Sequence, residues 1–183
     1  MRTIATCSMA GLLLLAAASA APAADFGFRG IDLHAGASFP SDWDTGVTAG
    51  LSVNVGELTR GLYLYPAVFY SQAEQSEDFL FGQIDLEITG LALGAEVRYF
   101  LSGEPSGFYF GGGPYLNRLD LELSTVVAGV PIVVEDEADE VGVIGVAGYR
   151  LDLGSVSGAL EARYNTVSDF DAAQLLLVLG FGG

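Results

Sequence analysis

His34 is the only histidine of the chain, and it is where a search for catalysis starts. An imidazole held between a serine and a carboxylate can act as general base in acyl transfer, provided nucleophile, base and orienting acid lie within hydrogen-bond reach. Asp32 and Ser38 stand at even spacings from His34, as they would on one face of a strand, but no nucleophile motif accompanies them. The sequence therefore assigns His34 a hydrogen-bonding place inside the fold. The run Glu135-Asp136-Glu137-Ala138-Asp139-Glu140 offers hard oxygen ligands of the kind Ca²⁺ or Mg²⁺ takes, without the EF-hand spacing or its glycine, and reads as a solvated acidic loop. Gly111-Gly112-Gly113 lacks the Lys-Ser/Thr of a phosphate loop, and one histidine with one cysteine cannot build a Cys/His metal centre. No cofactor is expected. What remains is two ion-pair couples of identical spacing, Glu96/Arg98 and Glu161/Arg163, each on one face of an alternating segment. They are the candidate site, a structural cluster in the interior of the fold.

The chain that must position these residues is unusual in composition. It has 183 residues, 51% of them hydrophobic, and 25 glycines; seven arginines and no lysine stand against 23 acids. That apolar content argues against disorder, and the net charge of −16 argues against nucleic-acid binding, which needs a basic surface. Residues 1–23 account for part of the apolar excess. Arg2 is a positive n-region, Gly11 to Ala18 an apolar h-region, and Ala18-Ser19-Ala20 and Ala21-Pro22-Ala23 are small-x-small cleavage sites. We expect a signal peptide over 1–23 and a single domain over 24–183. Cys7 lies in the leader, so the mature chain has no cysteine and carries six arginines against 23 acids, a charge of −17.

The rest reads as strand. Apolar residues at 31, 33, 35 and 37, at 47 to 55, at 91 to 99 and at 160 to 164 alternate with polar or small ones, and weaker matches lie at 62–72, 107–123, 141–151 and 172–181. Short connectors (56–61, 102–107, 152–158) alternate with long polar ones (39–46, 72–83, 124–140, 166–171). Eight strands with tight turns at one rim and loops at the other predict an all-β fold, an eight-stranded antiparallel up-and-down transmembrane β-barrel. Closure also pairs every edge.

Alternation alone does not say which face is outside, and three features point the apolar face to lipid. Charged couples with small neighbours suit a narrow lumen filled by side chains. Aromatics gather at both rims: Phe26, Phe28, Tyr63, Tyr65, Tyr99, Phe100, Phe108, Phe110, Tyr149 and Phe181 at the short-turn rim, and Phe39, Trp43, Phe69, Tyr70, Phe79, Phe81 and Phe170 at the other. Twelve acids (Asp42, Asp44, Glu74, Glu77, Asp78, Glu135, Asp136, Glu137, Asp139, Glu140, Asp169 and Asp171) occupy the long connectors, which hold no basic residue. Pro66 and Pro114 fall inside strands and call for bulges or rim positions. Alternation changes parity at Thr89-Gly90, which predicts a bulge. Ile144, Val146, Leu176 and Val178 fall on inward faces and would make part of the lumen apolar. Val126 to Val134 reads either as a hairpin buried against neighbouring loops or as a protruding β edge.

On the leader, the strand count, Gly111 to Tyr115 in the fifth strand, Gly142 to Tyr149 in the sixth and the near-terminal Phe181, the chain resembles the small eight-stranded outer-membrane barrels, the OmpA/OmpX-like superfamily. Its members usually end on the aromatic; here Gly182 and Gly183 follow it. The resemblance implies a Gram-negative outer membrane, termini in the periplasm, long loops outside, and outer-membrane lipid, lipopolysaccharide and the barrel-assembly machinery as partners. Divalent cations that bridge lipopolysaccharide phosphates would be shared with the acidic loops. The expected function is a non-enzymatic barrel of structural or interaction type with a filled lumen. The alternatives are a conduit or binder for small hydrophobic molecules of the OmpW type, a lipid A-modifying enzyme around His34, and a soluble secreted barrel.

Overall fold

Alternating segments of this length pair rather than coil, because each strand satisfies its backbone only through a neighbour. The computed structural model describes residues 24–41, 43–79, 82–127, 130–167 and 170–182. They form β1 (Asp25–Pro40), β2 (Gly46–Thr59), β3 (Leu62–Phe79), β4 (Gly82–Phe100), β5 (Gly107–Val127), β6 (Val130–Asp152), β7 (Val156–Val167) and β8 (Phe170–Phe181). Each strand pairs antiparallel with the next and β8 returns to β1, so the sheet is a closed barrel, as the alternation predicts. The leader with Arg2 and Cys7 lies outside the described residues. So do Asp42, Phe81 and Asp169, and the side chains of Glu77, Asp78, Phe79, Val126, Val127 and Phe170.

The three tight turns 60–61, 101–106 and 153–155 share one end with the first and last strand residues. Each carries a glycine in the left-handed region, Gly61, Gly103 and Gly154, with φ of 80°, 83° and 93°. Phe181 is the last paired residue, opposite Ile31 and Val156. The prolines fall where ladder pairing lapses. Pro66 lies between Ser52/Ala67 and Glu57/Tyr63, where the β2–β3 register shifts, and Pro114 between the Gly94/Tyr115 and Val97/Gly112 pairs.

The apolar face is the outer one. Leu93, Leu116, Val143, Leu160 and Leu177 are each more than half exposed, while Glu96, Arg98, Glu161 and Arg163 are buried. The expected bulge at Thr89-Gly90 is absent. β3 and β4 pair in one unbroken register from Leu62/Tyr99 to Phe79/Gly82, and the sheet exchanges the chemistry of its faces instead. Below a row made by Tyr70, Leu91, Arg118 and Asp139, outward residues are apolar and the inward ones carry the buried charges among aromatic and aliphatic side chains; above it the outward residues are Gln72, Glu74, Glu87, Asp120, Glu122, Glu135 and Glu137, and the inward ones include Ala73, Ile88, Leu119 and Leu121. This exchange also explains why 72–83 and 124–140, expected as loops, are almost wholly strand. They prolong β3, β4, β5 and β6 into a four-stranded flange above the rim, with β5–β6 pairing running to Val127/Val130. Ile132, Val133 and Val134 are exposed near its tip, so this hairpin protrudes.

The aromatic belts need correction. Phe26, Phe28, Tyr99, Phe108, Phe110, Tyr149 and Phe181 do form an outward girdle at the turn end. Tyr63, Tyr65, Phe100 and Tyr109 do not belong to it; they point inward and pack as one buried cluster with Val146. At the loop end, Phe39 and Tyr70 are exposed, joined by Tyr164, but Phe69 is buried in a second cluster with Tyr115, Ile144 and Leu176.

Candidate functional site

Glu96 and Arg98 come from β4, Glu161 and Arg163 from β7, three strands further round the ring, and the narrow lumen brings all four side chains together. Arg98 donates from Nε and Nη2 to Glu96 Oε2 at 2.8 and 2.7 Å, and its Nη1 lies 3.3 Å from Glu161 Oε2. Arg163 donates from Nη1 to Glu161 Oε1 at 3.1 Å and from Nη2 to Glu96 Oε1. Each arginine thus touches both glutamates in a closed, alternating ring. Tyrosines satisfy further lone pairs: Tyr109 donates to Glu161 Oε2 at 2.6 Å and Tyr115 to Glu96 Oε1. The guanidinium of Arg98 stacks 4.4 Å from the Tyr65 ring centre and that of Arg163 3.8 Å from Phe69.

The ring extends toward the turn end through Asp32, which accepts from Arg150 and lies 3.7 Å from Arg98 Nη1. The buried charges then balance, three carboxylates against three guanidiniums, as a low-dielectric interior requires. Asp32 and Arg150 are members that the sequence reading missed. Arg150 shares strand parity with Ile144 and Val146, both assigned inward, and that signal was sufficient to find it. Those two, with Leu176 and Val178, do face inward and are buried, so the apolar part of the lumen is packed against its charged part.

His34 lies in the same layer. Its Nε2 is 2.9 Å from Ser52 Oγ and its Nδ1 is 3.5 Å from Glu161 Oε1. Ser52, supplied by β2 directly opposite Asp32, was not foreseen. These are the atom types of an acyl-transfer triad, but Ser52 has no exposed surface and Phe69 packs edge-on to the imidazole at 5.0 Å between ring centres. A reacting carbonyl must stand about 3 Å from the nucleophile, and here that space belongs to side chains.

Glycines set how closely the plug is gripped. A Cβ on Gly94 would meet the Pro114 carbonyl oxygen at 2.4 Å and the Tyr115 ring at 2.6 Å, whereas one on Gly145 meets nothing within 4 Å. Gly94→Ala is therefore expected to push Tyr115 off Glu96 and cost about 1–3 kcal/mol. Gly145→Ala should be neutral or slightly stabilising, and equilibrium urea unfolding of the two variants checks both.

Both mouths are concave. At the turn end a cavity of about 350 Å³ is lined by Arg29, Asp32, Asn54 and Arg150 among others. At the loop end a hollow of about 230 Å³ has Trp43, Ile88, Leu119, Leu121 and Val167 in its wall and Asp136, Glu137 and Glu140 around it. Outside the flange Glu74, Glu87, Glu122 and Glu135 are successive cross-strand partners, a row of four like charges over four strands. Among the described residues no three carboxylates or other ligating side chains converge to hold a metal ion. Arg118 is the flange's cation, 3.5 Å from Asp120 Oδ1 and bonded to Glu137.

No protein-family model matches the chain, and no curated protein matches it. Among solved structures, Ail, the attachment invasion locus protein of Yersinia pestis, in complex with the heparin analogue sucrose octasulfate, superposes with a TM-score of 0.53. The identity is 11%, over 86% of this chain and 99% of Ail. A second Ail structure gives 0.52 at 10% identity over the same shares. Neisserial surface protein A gives 0.46 at 16% identity, over 88% of this chain and 100% of its own. The likeness to Ail, a small eight-stranded outer-membrane barrel, is one of fold, and it is the fold that the OmpA/OmpX-like resemblance implies.

Proposed function

We propose that this chain is a non-enzymatic outer-membrane β-barrel of structural and interaction type, with a lumen closed by side chains and an acidic flange outside the cell. The observation that carries this reading is the exchange of faces at the Tyr70–Leu91–Arg118–Asp139 row. An apolar outer wall that turns acidic at one level, on four adjacent strands at once, suits a protein leaving lipid for water. Outer-membrane lipid and lipopolysaccharide surround the wall, and the barrel-assembly machinery would insert it. Divalent cations shared with lipopolysaccharide phosphates would be attracted to the spread carboxylates as a diffuse layer.

A hydrophobic conduit of the OmpW type is supported by Ile144, Val146, Leu176 and Val178, but Val146 is buried in a cluster with Tyr63, Tyr65, Phe100 and Tyr109, Ile144 and Leu176 in one with Phe69 and Tyr115, and Val178 is itself buried. A lipid A-modifying reaction at Ser52 and His34 is opposed by their burial. The test is cellular. The expected result is a heat-modifiable band in the outer-membrane fraction, with added protease cutting intact cells' protein in the flange. A soluble periplasmic or secreted protein, or a flange cut only after lysis, overturns the reading.

A further inference from the structure

The loop-end hollow of about 230 Å³ is apolar below and acidic at its rim. Ile88, Leu121 and Asp136 are cross-strand partners in one row over β4, β5 and β6, and Leu119/Ala138 and Asn117/Glu140 are the next inward pairs below them. Ile88 and Val167 are buried, and Trp43, the only tryptophan of the chain, is half-buried in the wall. Ala138 stands between Asp136 and Glu140 on the inner face of β6 and leaves space that a larger side chain would fill. Beneath, Asn165 donates to Asn117, and Phe69, Tyr115, Ile144 and Leu176 fill the lumen, so the hollow is blind. No cation stands among its lining residues, and among the described residues the side chains of Asp136 and Glu140 have no hydrogen-bond or ion-pair partner.

We propose that this hollow is a binding site for a small organic cation, an ammonium group on a compact apolar body. Its volume lies below the roughly 300–1,000 Å³ of sites for drug-sized molecules, which limits the body to one ring or a short branched chain. The body covers Ile88, Leu119, Leu121 and Trp43, and the ammonium stands at the rim with Asp136 and Glu140. Burial of the body supplies affinity, and the two free carboxylates select the charge. A neutral occupant would strip water from half-buried Glu140 without giving it a partner, which costs free energy. An anion would be repelled by both carboxylates. An indole is also the aromatic that attracts cations most strongly. A bare metal ion gains nothing from the apolar floor. The acidic flange concentrates cations of every kind at this mouth, and the floor decides which of them stay.

The test titrates the full barrel, folded in zwitterionic micelles, with benzylammonium, and reads Trp43 emission and the heat of binding. The expected result is saturable binding at least tenfold tighter than that of benzyl alcohol, which has the same shape without the charge, or of phenylacetate. Ammonium ion or Mg²⁺ alone should not reproduce it. D136N/E140Q, still heat-modifiable on a gel, should weaken benzylammonium at least tenfold and bring it level with benzyl alcohol. Ala138→Phe, also heat-modifiable, keeps both carboxylates but fills the space, and should weaken it at least tenfold too. No saturable binding by either readout, benzyl alcohol or phenylacetate bound equally well, the same response to ammonium ion or Mg²⁺ alone, or parent-like binding by either variant overturns the proposal. Binding in micelles is independent of cellular location, so its failure leaves the outer-membrane reading standing, while failure of flange proteolysis on intact cells removes that reading alone.

Discussion

Arg98→Ala is expected to cost about 3–5 kcal/mol, much of a total stability that for native domains is about 5–15 kcal/mol. The guanidinium has no exposed surface, and it bonds Glu96, approaches Glu161 and Asp32, and stacks on Tyr65. Removing it leaves three buried carboxylates against two guanidiniums and opens a void where the largest fully buried side chain stood. The unpaired charge dominates that loss, and this can be separated from the void. In R98A/E161Q the charges balance again, so the double variant should recover part of the loss although it deletes a further ionic partner. Equilibrium urea unfolding in lipid vesicles measures both. Parent-like unfolding of Arg98→Ala removes the assignment of the cluster as the barrel's stabilising plug. A double variant worse than the sum of its parts removes the charge-balance argument.

Leu177→Arg tests the other side of the wall. Leu177 is 69% exposed at the middle of the outward row of β8, between Leu175 and Leu179. On a soluble barrel such a substitution would fall within about ±0.5 kcal/mol. At the middle of a bilayer, arginine on the lipid face costs about 2–4 kcal/mol. We expect the larger value in vesicles and, as the internal control, a near-neutral Glu122→Gln on the flange, where the same wall meets water. Equal, small effects at both positions would return the barrel to the soluble class.

Most of the architecture was legible because period-2 alternation is enforced residue by residue. Eight segments, their order and the turn rim could be read from it, as could the inward placement of Ile144, Val146, Leu176 and Val178. The flange was not legible, since acidic residues at every second position look like a solvated loop when the face they occupy is taken to be lipid or lumen. At Thr89-Gly90 the same exchange of faces imitated a bulge. In the site, Glu96, Arg98, Glu161 and Arg163 were visible as charges on alternating faces. Tyr65 and Tyr109 were misassigned because nearness to a strand end was weighed above parity, although Tyr65 shares parity with Ala67 and Phe69. The Ser52–His34 contact depends on the register between β1 and β2, which no single-strand pattern encodes.

The height of the flange has an electrostatic consequence. From the Arg118/Asp139 row to Glu122/Glu135 is four residues, about 13 Å along strands that rise about 3.3 Å per residue, or roughly 10 Å of elevation at a tilt near 40°. The Debye length in physiological salt is about 8 Å. The glutamate row therefore stands more than one screening length above the level where the wall turns polar. Its potential is set by its own carboxylates rather than merged with the phosphates of a leaflet, so a mobile cation arriving from solution meets the flange as a separate negative target before it senses the membrane.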